Sequence, residues 1–166
     1  MVADSFARIC VNIKEKRLIR KASVTDVKKI QRLIGYYAKR DKMLPRSLNE
    51  LYENIRDFVV YVEGKSIYGC CALHVDWEDL AEIKSLAIAK GKFGKGIGSS
   101  LLDYCMKEAM ALKIKKVFAL TYVPEFFEKA GFRMVDKSKL PHKIWSECIK
   151  CIYFPGCKEI AMVKEI

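Results

Sequence analysis

The stretch L-A-I-A-K-G-K-F-G-K-G-I-G-S, Leu86 to Ser99, decides how this chain is read. A largely apolar run, Ile83 to Ile88, leads into a loop carrying Gly91, Gly94, Gly96 and Gly98. An amphipathic helix follows at once. Strand, glycine turn and helix N-terminus together make an anion cradle. The glycines let the backbone approach closely, and unpaired N–H groups point outward with the positive end of the helix dipole behind them. A pyrophosphate-bearing, nucleotide-derived ligand fits such a cradle.

Working outward, 166 residues that are half hydrophobic suit one compact domain, 1–166. No apolar run approaches the ~18 residues of a membrane span. The N-terminus, M-V-A-D-S-F-A-R-I-C, lacks the order of a signal peptide. An odd count of seven cysteines without paired spacing argues against a disulfide framework, so a cytoplasmic protein is expected. The net charge of +11 suits nucleic acid or simply a lysine-rich solvated surface. No basic run is interleaved with aromatics, so neither a nucleic acid nor a membrane is expected as partner. Lys84, Lys90, Lys92 and Lys95 cluster near the glycine turn and suit a small anionic ligand.

Residues 1–15 read as an irregular extension and Arg17 to Lys21 as a short strand. Thr25 and Asp26 open a helix with apolar positions Val27, Ile30, Leu33, Ile34 and Tyr37, a helical period. Ser47-Leu48-Asn49-Glu50 is a capping box that opens a second helix, to about Ile55. Phe58 to Glu63 and Ser66 to Val75 form a hairpin turning at Gly64. Ala81 to Ile88 is the next strand, Gly96 to about Leu112 a helix, and Lys116 to Thr121 another strand. Pro124 opens a short helix closed by Gly131. Phe132 to Val135 and Ile160 to Val163 are strands, with an irregular cysteine-containing insertion, 137–158, between them. This order predicts an α/β fold with a mixed sheet.

A dinucleotide-binding fold expects its glycines after the first strand and an acidic residue ~20 positions on. Here the turn follows several strands, and no suitable acid opens the next one. Gly91 and Gly96 have the spacing of the phosphate-binding G-x-x-x-x-G-K-[ST] loop, but Ile97 and Gly98 follow. Leu86 to Leu102 instead resembles the acyl-CoA-binding motif of the GCN5-related N-acetyltransferases (GNAT), and F-F-E-K-A-G-F, Phe126 to Phe132, resembles their second motif. L-P-R-S (44–47), C-C-A-L-H (70–74), A-E-I-K-S-L-A-I (81–88), V-F-A-L-T-Y-V-P-E-F-F-E-K (117–129) and L-P-H-K-I-W (140–145) resemble the short bacterial N-acetylglutamate synthases.

That resemblance implies a mostly antiparallel central sheet flanked by helices, with the fourth and fifth strands splayed around acyl-CoA. It implies acetyl-CoA as co-substrate, held by the backbone of Leu86, Ala87 and Ile88 and by turn amides among Phe93, Gly94, Lys95, Gly96, Ile97, Gly98 and Ser99. It also implies acetyl transfer to the α-amino group of L-glutamate, the first step of arginine synthesis. Another amino acid such as glutamine, a protein amine, or a non-catalytic acyl-CoA sensor are the alternatives. A homodimer is compatible with the chain, and 166 residues leave no room for an amino-acid-kinase-like regulatory domain. Phe93 stands where the family motif opens with Arg or Gln, so pyrophosphate contacts fall to backbone amides, with Lys92 or Lys95 as side-chain substitutes.

Amine acetylation needs a neutral nucleophile, and a carboxylate can take the ammonium proton. The resemblance assigns that role to Glu82. Lys84, on the same strand face, would hold Glu82 ionised or bind a substrate carboxylate. Tyr122 replaces the motif tyrosine as acid, because Phe126 and Phe127 occupy that region. Arginine forks bind carboxylates in pairs, which makes Arg46, then Arg56 and Lys84, the anchors for glutamate. His142, Cys148, Cys151 and Cys157 spell H-x5-C-x2-C-x5-C. That set could close a tetrahedral zinc site, hold an iron–sulfur cluster, or be free thiols beneath a loop. Cys70 and Cys71 are neighbours on a strand and should face opposite sides, and Cys105 should lie in a helix core.

Overall fold

The computed structural model describes residues 17–140, 148, 149, 151, 153 and 156–166; the expected extension, 1–15, lies outside them. The described strands are β1 (Arg17–Lys21), β2 (Phe58–Glu63), β3 (Ser66–Trp77), β4 (Leu80–Ile88), β5 (Lys116–Thr121), β6 (Arg133–Val135) and β7 (Ile160–Glu165). They form one sheet in the order β1-β2-β3-β4-β5-β7-β6. Every neighbouring pair is antiparallel except β4 and β5, which run parallel. The helices are α1 (Val27–Ala38), α2 (Leu48–Glu53), α3 (Ile97–Ala111) and α4 (Pro124–Lys129).

Helices cover both faces of the sheet because its central strands are apolar on both. The buried positions of α3, Ile97, Leu101, Leu102, Cys105, Met106 and Ala109, recur at helical spacing. They pack on Val59, Cys71, Leu73, Ala81, Ile83, Val117 and Ala119. On the opposite face, Val27, Ile30 and Ile34 of α1 and Leu51 of α2 pack on Phe58, Val60, Cys70, Ala72 and Ala87. Cys70 and Cys71 thus face opposite layers, as their adjacency requires. The α3 layer comes very close to β3 at Gly69, where an added Cβ would stand 2.8 Å from Leu101 Cδ1 and 3.0 Å from Ile97 Cγ2. A larger residue there would force the Leu101, Ile97 and Ile88 side chains to shift.

Both N-terminal helices begin on polar side chains. Ser23 donates its backbone N–H (2.8 Å) and its hydroxyl (3.0 Å) to Asp26 Oδ2, and Arg20 binds both oxygens of that carboxylate at 2.7 and 3.1 Å. Thr25 and Asp26 lie in a single 3-10 turn ahead of α1 rather than inside it. At α2 the Ser47 hydroxyl accepts the Glu50 N–H at 3.1 Å, which is half of the expected box. The other half is missing because the Glu50 carboxylate pairs with Arg46 instead.

Arg20, helped by the Ser23 bonds, holds the Asp26 carboxyl down at about 2, against the cost of burial. A depressed folded-state value adds stability above the ordinary 3.8 that disappears as pH falls toward 2. Asp26→Asn should therefore be less stable than wild type at neutral pH. In urea titrations the gap between the two should close as pH drops from about 4 to about 2, and a constant gap would contradict this origin.

Candidate active site

β4 and β5 are hydrogen-bonded only from Leu80–Lys116 to Ile83–Ala119, after which they part. One residue beyond that point, β4 bulges. Ala72 pairs with Lys84 and Cys70 with Ala87, so β4 carries an extra residue, and Ser85 takes a φ of 53°. The bulge shifts the alternation of the strand. Ile83 packs in the α3 layer, yet Ala87 packs under α1, while Leu86 and Ile88 adjoin the α3 layer. The gap widens into a cleft of about 1510 Å³. Its walls include Glu82 to Leu86, Ile88, the glycine turn, Tyr122 and the loop before α2.

The turn enters α3 through Gly96, whose φ of 74° is left-handed and favours glycine. Phe93, Gly94, Gly96, Ile97, Gly98 and Ser99 line the cleft; Lys95 does not. Phe93 is exposed there. Lys92 is not a free phosphate donor. Its ammonium pairs with Glu63 and lies 3.9 Å from the Tyr68 ring centre, which ties the turn to the β2–β3 hairpin. Glu63 holds that lysine above its ordinary value, and the lysine holds Glu63 below its own. The Tyr37 hydroxyl donates to the Ile88 carbonyl and pins α1 to the same strand end.

Glu82 is buried, with Lys84 Nζ 3.1 Å from its carboxylate. Arg46 faces the cleft, already paired with Glu50. Tyr122 lines the opposite wall, where burial first and the nearby Glu159 second raise its phenol above the ordinary value. Burial likewise raises the Glu159 carboxyl, and the Cys157 thiol donates toward it at 3.6 Å. Tyr122, Cys157 and Glu159 thus face a wall of paired charges.

Most of the expected residues converge; Arg56 and Lys95 do not. Arg56 is exposed on the 3-10 turn Ile55–Asp57 and lines neither the cleft nor the pocket beside it, because that turn points it outward. Ala87 is buried under α1, so only its backbone can serve the cleft. Cys148, Cys151 and Cys157 are free thiols on the cleft wall, and among the described residues no group of three or more His, Cys, Asp or Glu can hold a metal. His142 lies outside the described residues. The Ser85 bulge and the Lys92 tether escaped the sequence reading, because neither leaves a local pattern. No helix among the described residues is long and apolar enough to cross a membrane.

Two signs meet here: strands parted at mid-sheet, and a glycine turn whose amides face the gap. A model of the acetyltransferase (GNAT) domain matches residues 53–134. An uncharacterized N-acetyltransferase of Chlorobaculum tepidum is 36% identical over 148 residues, 89% of this chain and 96% of that one. The chain belongs to the GNAT acetyltransferase family. This GNAT enzyme is also 34% identical over 134 residues to an amino-acid acetyltransferase of Mycobacterium tuberculosis, which covers 78% of this chain and 76% of that protein. A crystal structure of N-acetylglutamate synthase from Neisseria gonorrhoeae, complexed with coenzyme A and N-acetyl-glutamate, superposes with a TM-score of 0.83 at 26% identity. That match covers 90% of this chain and 35% of the Neisseria chain.

The glycine turn of this acetyltransferase suits a pyrophosphate, because its amides open the α3 N-terminus and carry the positive end of its dipole. An alanine at Gly96 must hold a left-handed φ, at a cost of ~1–2 kcal/mol. Gly96→Ala should weaken coenzyme A binding by roughly tenfold in calorimetry. It should also lower the thermal midpoint by a few degrees, because that φ is strained even though no atom lies within 4 Å of the added Cβ. Unchanged affinity would mean that the turn does not grip the ligand.

Proposed function

We propose that this acetyltransferase moves the acetyl group of acetyl-CoA onto the α-amino group of L-glutamate. One observation carries the reading: a buried carboxylate, Glu82, borders the cleft together with two cations, Lys84 and Arg46. An amino acid with a second carboxylate needs a base for its ammonium and cations for its acidic ends. The amino-acid acetyltransferase of Mycobacterium tuberculosis supports an amino-acid acceptor. The N-acetyl-glutamate bound by the Neisseria enzyme supports glutamate.

Acetyl-CoA brings the acyl group activated as a thioester. Beyond the bulge, the edge of Leu86 to Ile88 turned away from β3 has no β5 partner, so backbone groups on that edge, other than the Ile88 carbonyl held by Tyr37, are left to bind and orient the acyl end. Glu82 takes a proton from the ammonium and leaves a neutral amine to attack the carbonyl. Tyr122, whose raised value keeps it protonated at neutral pH, donates to the departing thiolate and regains a proton from the second N–H that breaks as the amide forms. Arg46 exchanges its bond to Glu50 for one to a substrate carboxylate. A planar fork makes that exchange where a lysine would not.

Glu82→Gln should lower kcat/KM by ~100-fold or more while coenzyme A still binds. Arg46→Ala should raise the KM for glutamate about tenfold and leave that for acetyl-CoA unchanged. A thiol-release assay across amino acids, polyamines and peptides decides the acceptor. Turnover of a polyamine or peptide without turnover of glutamate would overturn the glutamate reading and leave the family intact.

A further inference from the structure

A second, smaller pocket of about 170 Å³ adjoins the cleft and shares Arg46, Glu50, Lys84 and Ser85 with it. Its other wall holds Asp57 and His74, whose Oδ2 and Nδ1 lie 2.7 Å apart. Asp57 ends the 3-10 turn before β2, and His74 lies on β3. In the β3–β4 ladder His74 is the residue opposite Glu82, and Ala72 is opposite Lys84. Opposed residues of an antiparallel pair share a face, with Cβ atoms about 5 Å apart. Asp57, His74, Glu82 and Lys84 therefore form one charged row from the side pocket to the cleft.

We propose that the Asp57–His74 pair is the proton exit of the acetyl transfer, taking the acceptor's proton from Glu82 and releasing it to water in the side pocket. The inference rests on Glu82 as the base. The steps balance. An ammonium N–H bond breaks and an O–H bond forms on Glu82. That O–H then breaks, directly or through one water, as an N–H forms at His74 Nε2. Loss of this proton to water returns both residues to their starting state.

Three observations favour the route. Glu82 is 8% exposed, and an acceptor and thioester bound in the cleft would cover its cleft side. The carboxylate of Asp57 assigns the Nδ1 proton, so the neutral ring keeps its lone pair on Nε2. The Asp57 hydrogen bond also lifts His74 above the ordinary imidazole value, against burial and the charge of Lys84. The charged groups facing the ring are Asp57 from the turn, Lys84 and Glu82 from β4, and Asp76 from β3 itself; Arg46 and Glu50 complete the pocket wall.

Steady-state kinetics of the full chain test the exit. His74→Ala should lower kcat about tenfold with both KM values nearly unchanged, and added imidazole should restore it, because the side pocket can admit the small base. His74→Gln should stay slow. The acid limb of the wild-type kcat profile should lie above 6.5, the ordinary imidazole value, and Asp57→Asn should move it to lower pH. An unchanged kcat in His74→Ala overturns the exit alone. So does a slow His74→Ala that imidazole fails to rescue while Asp57→Asn leaves the limb in place. Full activity in Glu82→Gln overturns the base reading, and the exit with it.

Discussion

The parting of β4 from β5 after Ile83 and Ala119 is the constraint on which this molecule depends. Parallel neighbours in a closed sheet satisfy each other's backbone groups along their whole length. Here β4 runs five residues beyond its last β5 partner, and its backbone edge faces a cleft instead. The bulge at Ser85 makes this tolerable. By inserting a residue it turns Ala87 into the α1 layer and Leu86 and Ile88 toward α3, so the strand stays packed on both faces while one edge is open. The start of α3 packs closely on β3 at Gly69, so the helix N-terminus and the open strand edge line one cleft.

Electrostatics follow from the same geometry. Several charges at and beside the cleft have a counter-charge in place. Glu82 has Lys84, Arg46 has Glu50, Lys92 has Glu63, and His74 has Asp57. Such pairs hold the side chains in fixed orientations before any ligand enters. The net charge of +11 invites a reading as a polyanion binder. Around the cleft, however, the lysine nearest the turn is consumed in anchoring it. The excess charge is therefore no guide to what the turn grips.

The chain order of elements was legible from periodicity and turn residues. α1, α2, α3 and β5 lie within a few residues of where the apolar spacing puts them, since burial of one face governs both pattern and structure. The glycine turn was legible for a similar reason: a left-handed turn favours glycine, and Gly96 adopts one. Ser85 shows the limit. Serine has no preference for its φ of 53°, and an alternation rule without the bulge assigns Ala87 to the wrong layer. Arg56 fails for a different cause. Its chemistry suits a carboxylate, but the turn that carries it faces outward.

Residues related by short-range spacing, such as the glycine turn, the helix starts and the opposed faces of Cys70 and Cys71, are set by the sequence, because local sterics and burial act over a few positions. Residues that meet across the fold are set by packing. Lys92 reaches Glu63, Tyr37 reaches the Ile88 carbonyl, and His74 meets Asp57 and stands opposite Glu82, all only once the sheet has formed its register. Long-range partners depend on register and on one bulged residue, and neither leaves a periodic trace along the chain.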